Sequence, residues 1–139
     1  MCATQVYVVK KMDRAQLTRR KMRKQLMRER HMMASLDHPA VCKLYGTFKT
    51  ADSVFMMLEP CLGGELYSYM AEKETLSLDE ARFYTACVVS GIGYMHARHI
   101  IFRDLKPENI VLSDNGYAKI VDFGFAKRMQ GNTYTLCGT

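Results

Sequence analysis

Apolar residues recur along this chain with two periods, and the switches between them lay out its elements. "TQVYVVK" at residues 4–10 is rich in β-branched and aromatic residues and predicts a strand. Residues near 15 to 36 change to a helical period, with Met22, Leu26, Met33 and Leu36 at steps of 4, 7 and 3 on one face. "KLYGTFK" and "SVFMMLE" predict two strands joined by the polar turn "TADS". A short helix is expected after "GGE", around residues 65 to 71. "SLDEARFYTACVVSGIGYMHARH" predicts a long helix, with Ser77 as N-cap and Glu80, three residues later, completing a capping box. From Phe83 to Met95 this helix is apolar nearly all round, which predicts a buried helix. Two apolar runs, Ile110-Val111-Leu112 and Ile120-Val121, then flank "SDNGY", where Asn-Gly is a hairpin-type turn.

Polar residues break this pattern at informative places. Glu29 falls on the apolar face of the first helix, seven residues after Met22 and seven before Leu36. A carboxylate aimed at a core is unfavourable unless a cation meets it, and Lys10 at the end of the preceding strand is the nearest suitable one. A surface-exposed Glu29 is the alternative. Farther on, Asp104 and Asn109 crowd the polar stretch before one apolar run, and Asp122-Phe123-Gly124 follows the next.

The 139 residues are 48% hydrophobic and 24% charged, enough for a core and about one domain. Repeats and Pro/Gly-rich linkers are lacking, and no apolar stretch approaches the roughly 18 residues of a membrane helix. A signal peptide is not expected, so a soluble, cytoplasmic protein is the default. Five scattered cysteines (Cys2, Cys42, Cys61, Cys87, Cys137) without a CxxC pair fit reduced thiols better than a zinc site or disulfide framework. The net charge of +6 is unevenly spread. Residues 10 to 30 hold ten Lys/Arg against two Asp/Glu, and the remaining residues ten against twelve. Such a segment suits a solvated helix face; with no interleaved aromatics to stack on bases, nucleic-acid binding is disfavoured.

"RDLKPEN" with Asp104 and Asn109, followed by Asp122-Phe123-Gly124, resembles the protein-kinase signature of a catalytic loop and a D-F-G segment. "VVKK" around Lys10 resembles the strand lysine of that set, and Glu29 sits where its helix glutamate belongs. The separations agree: 19 from Lys10 to Glu29, 94 from Lys10 to Asp104, and 18 from Asp104 to Asp122. "LKPEN" is similar to serine/threonine kinases. "DFGFAKR" and "TYTLCGT" look like the AGC branch, with "CLGGELYS" and "IVDFGFAK" most similar to cGMP-dependent kinases and next to the cAMP-dependent catalytic subunit.

The resemblance implies an α+β, two-lobed fold in partial form. Residues 1–59 would be part of the first lobe, lacking the glycine-rich loop, and 60–139 part of the second, ending in the activation loop. It implies ATP and Mg²⁺ as cofactors. Lys10 would hold the α- and β-phosphates with Glu29 orienting it, and Asn109 and Asp122 would offer oxygen ligands to Mg²⁺. Asp104 would accept or orient the substrate hydroxyl proton, and Lys106 would neutralise the γ-phosphate. Glu59 to Cys61 would be the hinge facing adenine, with Leu58 guarding the deeper pocket, Val111 as floor and Val8 against the ring. Glu65 and Glu108 look like the acids that receive ribose and basic substrate side chains, so protein substrates with Arg or Lys near the target Ser/Thr are implied. Thr135 looks like the activation-loop phosphosite, its phosphate meeting Arg103 and Lys127. A cyclic-nucleotide-binding regulatory domain or subunit is the further partner that the resemblance raises.

Three positions depart from the pattern. Phe102 replaces a His or Tyr, Val8 an Ala, and Gln25 a histidine often found near the phosphosite. Val8 should tighten the adenine pocket. No G-x-G-x-x-G precedes Lys10 and no A-P-E segment follows Thr139, so about the middle half of a catalytic domain is expected, with part of helix 77–98 uncovered and stability marginal. Two readings follow: a Ser/Thr kinase centre completed by further segments, or an inactive kinase-like protein that binds nucleotide or a partner. The 139-residue chain expressed alone is predicted to transfer little or no phosphate. Robust ³²P transfer to a basic Ser peptide, abolished by Asp104→Asn, would overturn this.

Overall fold

The computed structural model describes residues 5–18 and 20–129, so Cys2, Thr135 and Cys137 lie outside the described residues. Strands β1 (Val8–Asp13), β2 (Leu44–Lys49) and β3 (Ser53–Leu58) form an antiparallel sheet in the order β1-β3-β2. The turn between β2 and β3 closes with Thr50 N donating to Ser53 O at 2.9 Å and Ser53 N donating to Thr50 Oγ1 at 3.2 Å. β1 returns along the other edge of β3, with Val8 opposite Leu58 and Lys10 opposite Met56. It therefore runs from Val8 to Asp13 rather than over 4–10, because the ladder with β3 sets its limits.

Helix α1 (Arg20–Ala34) follows a short 3₁₀ turn and buries Glu29 and Met33, with Leu26 half-buried. Met22, expected on the same face, is 42% exposed, since the core that takes Leu26 and Met33 does not reach the first turn. Helices α2 (Leu66–Lys73) and α3 (Leu78–His96) come next. The expected capping box is present: Ser77 Oγ accepts from Glu80 N at 3.2 Å and Glu80 Oε2 accepts from Ser77 N at 2.9 Å.

α3 is not buried all round. Gly91 and Met95 are its only fully buried residues, while Phe83, Leu78 and Val89 are exposed. Its packing is with β4 (Ile100–Ile101), β6 (Ala118–Ile120) and the small α2 cluster. An apolar sequence gives a helix the capacity for burial, but only a packed neighbour removes it from water. No helix among the described residues is long and apolar enough to cross a membrane.

β5 (Ile110–Leu112) pairs with β6, and β4 with β7 (Lys127–Arg128). The β4–β7 pair has no sequence signal, because strands of two residues have no period to read. A main core joins the sheet, α1, α3 and the loops through Met33, Met56, Met95, Phe102, Ile120 and Phe123.

Gly63 brings the chain before α2 against β5: its N–H donates to Leu112 O at 2.9 Å, and Leu112 N donates to Gly64 O at 2.8 Å. A Cβ at Gly63 would stand 2.8 Å from Leu112 Cβ and 2.9 Å from the carbonyl oxygens of Leu112 and Ser113. Gly93 in α3 meets nothing within 4 Å. Gly63→Ala is predicted to destabilise by about 1–3 kcal/mol, and Gly93→Ala to stabilise by up to about 1 kcal/mol. Thermal unfolding of both variants checks the opposite signs.

Candidate active site

Lys10 and Glu29 come from different elements and meet across the sheet–helix interface, Nζ to Oε1 at 2.7 Å. Lys10 lies in β1, whose period places its side chain on the face covered by α1. Glu29 is 7% exposed, so Lys10 supplies the countercharge that a buried carboxylate requires. The alternative of a surface-exposed Glu29 does not hold.

The second group is built on the loop after β4. Phe102 is buried at 2% exposure, and Arg103 then takes a left-handed conformation with φ of 69°. Non-glycine residues adopt that region at a cost, and such strain clusters at functional sites. Asp104 follows, buried, and the 3₁₀ turn Pro107–Asn109 folds back on it. Asn109 Nδ2 donates to both Asp104 O and Asp104 Oδ2, each at 2.8 Å. Lys106 Nζ lies 3.5 Å from the same Oδ2. With its NH₂ committed inward, Asn109 keeps its carbonyl oxygen as an acceptor.

The third group follows β6. Asp122 is left-handed with φ of 60°, and its Oδ1 accepts from Gly124 N at 3.2 Å. Two links tie this turn to the Asp104 loop: Val121 N donates to Asn109 O at 3.0 Å, and Arg103 Nε donates to Phe125 O at 2.9 Å. Beneath them Phe102 and Phe123 meet edge-to-face, 5.3 Å between centroids at 72°. No three His, Cys, Asp or Glu side chains among the described residues gather as a metal cage. Asn109 and Asp122 do fit Mg²⁺, which is held by one or two carboxylates together with phosphate oxygens.

Residues 59 to 61, expected from the resemblance as a hinge, follow β3 at the end of the sheet. Leu58 pairs with Val8 on one side and Leu44 on the other. Glu59 is fixed through its side chain, Lys119 Nζ standing 3.0 Å from Oε1 and Lys43 N donating to Oε2 at 3.2 Å. Cys61 is half-buried beside it. Glu65 forms a bridge with Val111, which brings those two candidates together. Glu108 is exposed in its 3₁₀ turn. Lys127 in β7 pairs with Ile101, the residue before Phe102, and Gln25 of α1 abuts Gly124.

Lys119 escaped the sequence reading. It is 9% exposed and clamps both Glu59 and Pro39 O, the latter at 2.7 Å. A lysine set between Ala118 and Ile120 in an apolar strand was the available signal. A cavity of about 510 Å³ lies apart from these groups, between α1 and the edge of β2, lined by Arg14, Leu17, Arg23, Leu26 and Phe48 among others.

Residues 2–139 match the family described as protein kinase domain. The chain belongs to that family. Among curated relatives of this kinase-family chain, a cGMP-dependent protein kinase of Drosophila melanogaster (isozyme 2 forms cD5/T2) is 42% identical over 135 residues, 96% of this chain and 14% of the relative. The 3-phosphoinositide-dependent protein kinase 1 of Arabidopsis thaliana is 44% identical over 131 residues, 94% of this chain and 27% of the relative. The cAMP-dependent protein kinase type 3 of Saccharomyces cerevisiae is 46% identical over 111 residues, 80% of this chain and 28% of the relative. This kinase-family chain thus spans well under a third of the length of each of these relatives.

The Lys10–Glu29 geometry generates a coupled prediction. Lys10→Met should destabilise by about 1–3 kcal/mol by leaving a buried carboxylate unmet, toward the lower end because Lys10 is 39% exposed. Lys10→Met combined with Glu29→Gln should recover part of that loss. Additive losses in urea unfolding would show that the two do not interact.

Proposed function

We propose that the protein containing this chain is an ATP-dependent serine/threonine kinase of the cyclic-nucleotide-dependent type, acting on proteins with basic residues near the target hydroxyl. The observation that carries the reading is the Asp104–Asn109–Lys106 cluster, bonded to the Asp122 turn and lying in one chain with the Lys10–Glu29 pair. In the proposed assignment residues 1–59 belong to the lobe that carries the nucleotide and 60–139 to the lobe that carries the substrate.

Phosphoryl transfer passes through a loose, highly charged transition state, so the demands on a protein are placement and charge neutralisation. Lys10, held by Glu29, is assigned to the α- and β-phosphates. Lys106 is assigned to the γ-phosphoryl group, whose charge is spread over three equatorial oxygens while the leaving oxygen takes the electron pair of the breaking bond. Asp104 is assigned to the substrate hydroxyl: its carboxylate orients the O–H towards the γ-phosphorus and takes the proton as the new P–O bond forms. The contacts of Asn109 and Lys106 on Oδ2 fix the rotamer that this requires. Mg²⁺, held by Asn109 and Asp122, would supply the remaining neutralisation of phosphate charge.

Val8, Leu58, Val111 and the backbone of Glu59–Cys61 are assigned to adenine, and Glu65 and Glu108 to ribose and basic substrate side chains. Arg103 Nη1 is buried with no hydrogen-bond partner among the described residues, which suits an anion arriving there. A phosphate on Thr135, meeting Arg103 and Lys127, is the proposed occupant, with a weaker helix contact at Gln25 than a histidine would give, and a cyclic-nucleotide-binding domain or subunit is the proposed regulator.

In the native protein, Asp104→Asn is expected to lower kcat for a basic Ser peptide by about 10²–10⁴-fold while nucleotide affinity is retained. Asp122→Asn is expected to weaken Mg²⁺-dependent nucleotide binding itself. Nucleotide bound by the native protein without any transfer would instead favour the inactive, binding-only reading.

A further inference from the structure

The thiols of Cys42 and Cys61 have no role in the proposed chemistry, although the Cys61 backbone belongs to the segment assigned to adenine, and the fold brings both side chains to one place. Cys42 precedes β2 and Cys61 follows β3, flanking the last rung of that ladder, where Glu59 N donates to Lys43 O at 2.9 Å. Both sulfurs converge on one carbonyl oxygen, Glu59 O, at 3.8 Å from Cys42 Sγ and 3.9 Å from Cys61 Sγ. Both residues lie just beyond the paired ends of β2 at Leu44 and β3 at Leu58, so a disulfide between them would close that end of the ladder.

The two thiols differ in a useful way. Cys42 is 3% exposed and its backbone is tied to Ile120 O at 3.0 Å, so it is sheltered and fixed. Cys61 is half-buried and reachable from solvent. The neighbouring Cys42 thiol, with Lys119, lowers the Cys61 thiol against the opposing effects of burial and Glu59, while Cys61 and burial raise Cys42. Thiolate character and access therefore coincide at Cys61.

We propose that Cys42 and Cys61 form a dithiol modification site that hydroperoxides convert to an intramolecular disulfide across the end of the β2–β3 ladder. The Cys61 thiolate attacks a peroxide oxygen, an S–O bond forms as the O–O bond breaks, and the departing oxygen takes up a proton as water when the oxidant is hydrogen peroxide. The Cys42 sulfur then attacks the Cys61 sulfenic acid. An S–S bond forms, the S–O bond breaks, and a second water leaves with the Cys42 proton. Two thiols and one peroxide give one disulfide and two waters, with both electrons passing from sulfur to the peroxide.

The test treats the reduced, folded protein with hydrogen peroxide, blocks remaining thiols with N-ethylmaleimide in denaturant, and maps all five cysteines by mass spectrometry. A linked pair of peptides carrying Cys42 and Cys61, lighter by two hydrogen atoms, is expected. In Cys42→Ser the oxidation should stop at a Cys61 sulfenic acid that dimedone traps. The proposal falls if Cys61 pairs with any other cysteine, or if Cys61 remains fully alkylatable while Cys87 is oxidised. It also falls if urea-unfolded chain forms the same bridge as readily as the folded protein, because the fold would then contribute nothing.

Discussion

The edge-to-face contact of Phe102 and Phe123 is the constraint on which the arrangement of polar groups depends. Each ring immediately adjoins a strained residue, Arg103 on one side and Asp122 on the other, and both rings are almost wholly buried in the main core. Burying two phenyl rings contributes several kcal/mol of hydrophobic stabilisation, roughly 1.5–3 for each. That is enough to hold two left-handed backbone residues, each costing about 1–3 kcal/mol. Strain at Arg103 and Asp122 thus rests on apolar packing directly beneath it. Phe102 keeps this contact without the polar tip of the His or Tyr that the family pattern prefers.

A hierarchy of polar contacts is assembled over that apolar base. Backbone hydrogen bonds tie the Asp122 turn to Asn109, the Asn109 amide locks Asp104, and Arg103 reaches back to the turn through Phe125. Each link is short and charge-assisted or backbone-anchored, so the group behaves as one rigid unit rather than as separate side chains on mobile loops. The Lys10–Glu29 pair belongs to a different layer, held by β1 and α1. Met33 of α1 and Phe123 share the main core, which joins the two layers mechanically. A displacement of α1 would therefore disturb the ion pair and the packing under Asp122 together.

Lys119 and Glu59 show a further use of buried charge. A lysine nearly enclosed in β6 satisfies its ammonium with the Glu59 carboxylate and the Pro39 carbonyl, fastening the end of β3 to the loop before β2. The same corner holds the two cysteines, so the chain from 59 to 61 is fixed on several sides at once. Its rigidity comes from tertiary contacts, since Pro60 apart nothing in its composition marks it.

The sequence by itself determined a good deal. The capping box at Ser77 was legible because it is a local hydrogen-bond exchange across three residues. The Lys10–Glu29 pair was legible because a carboxylate on an apolar helix face demands a cation, and the strand before it offered one. The spacing of Asp104, Asn109 and Asp122 likewise carried the family reading, since catalytic chemistry restricts residue type more tightly than packing does. Only the tertiary structure decided which apolar surface is buried. α3 reads as apolar all round yet leaves Phe83 and Val89 exposed, and Met22 shares a period with Leu26 but not its burial. The β4–β7 pair, the Lys119 clamp and the meeting of Cys42 with Cys61 join residues distant in sequence, where no local period or propensity can register. Local hydrogen-bond chemistry is written in neighbouring residues; burial is a property of whatever arrives from elsewhere in the chain.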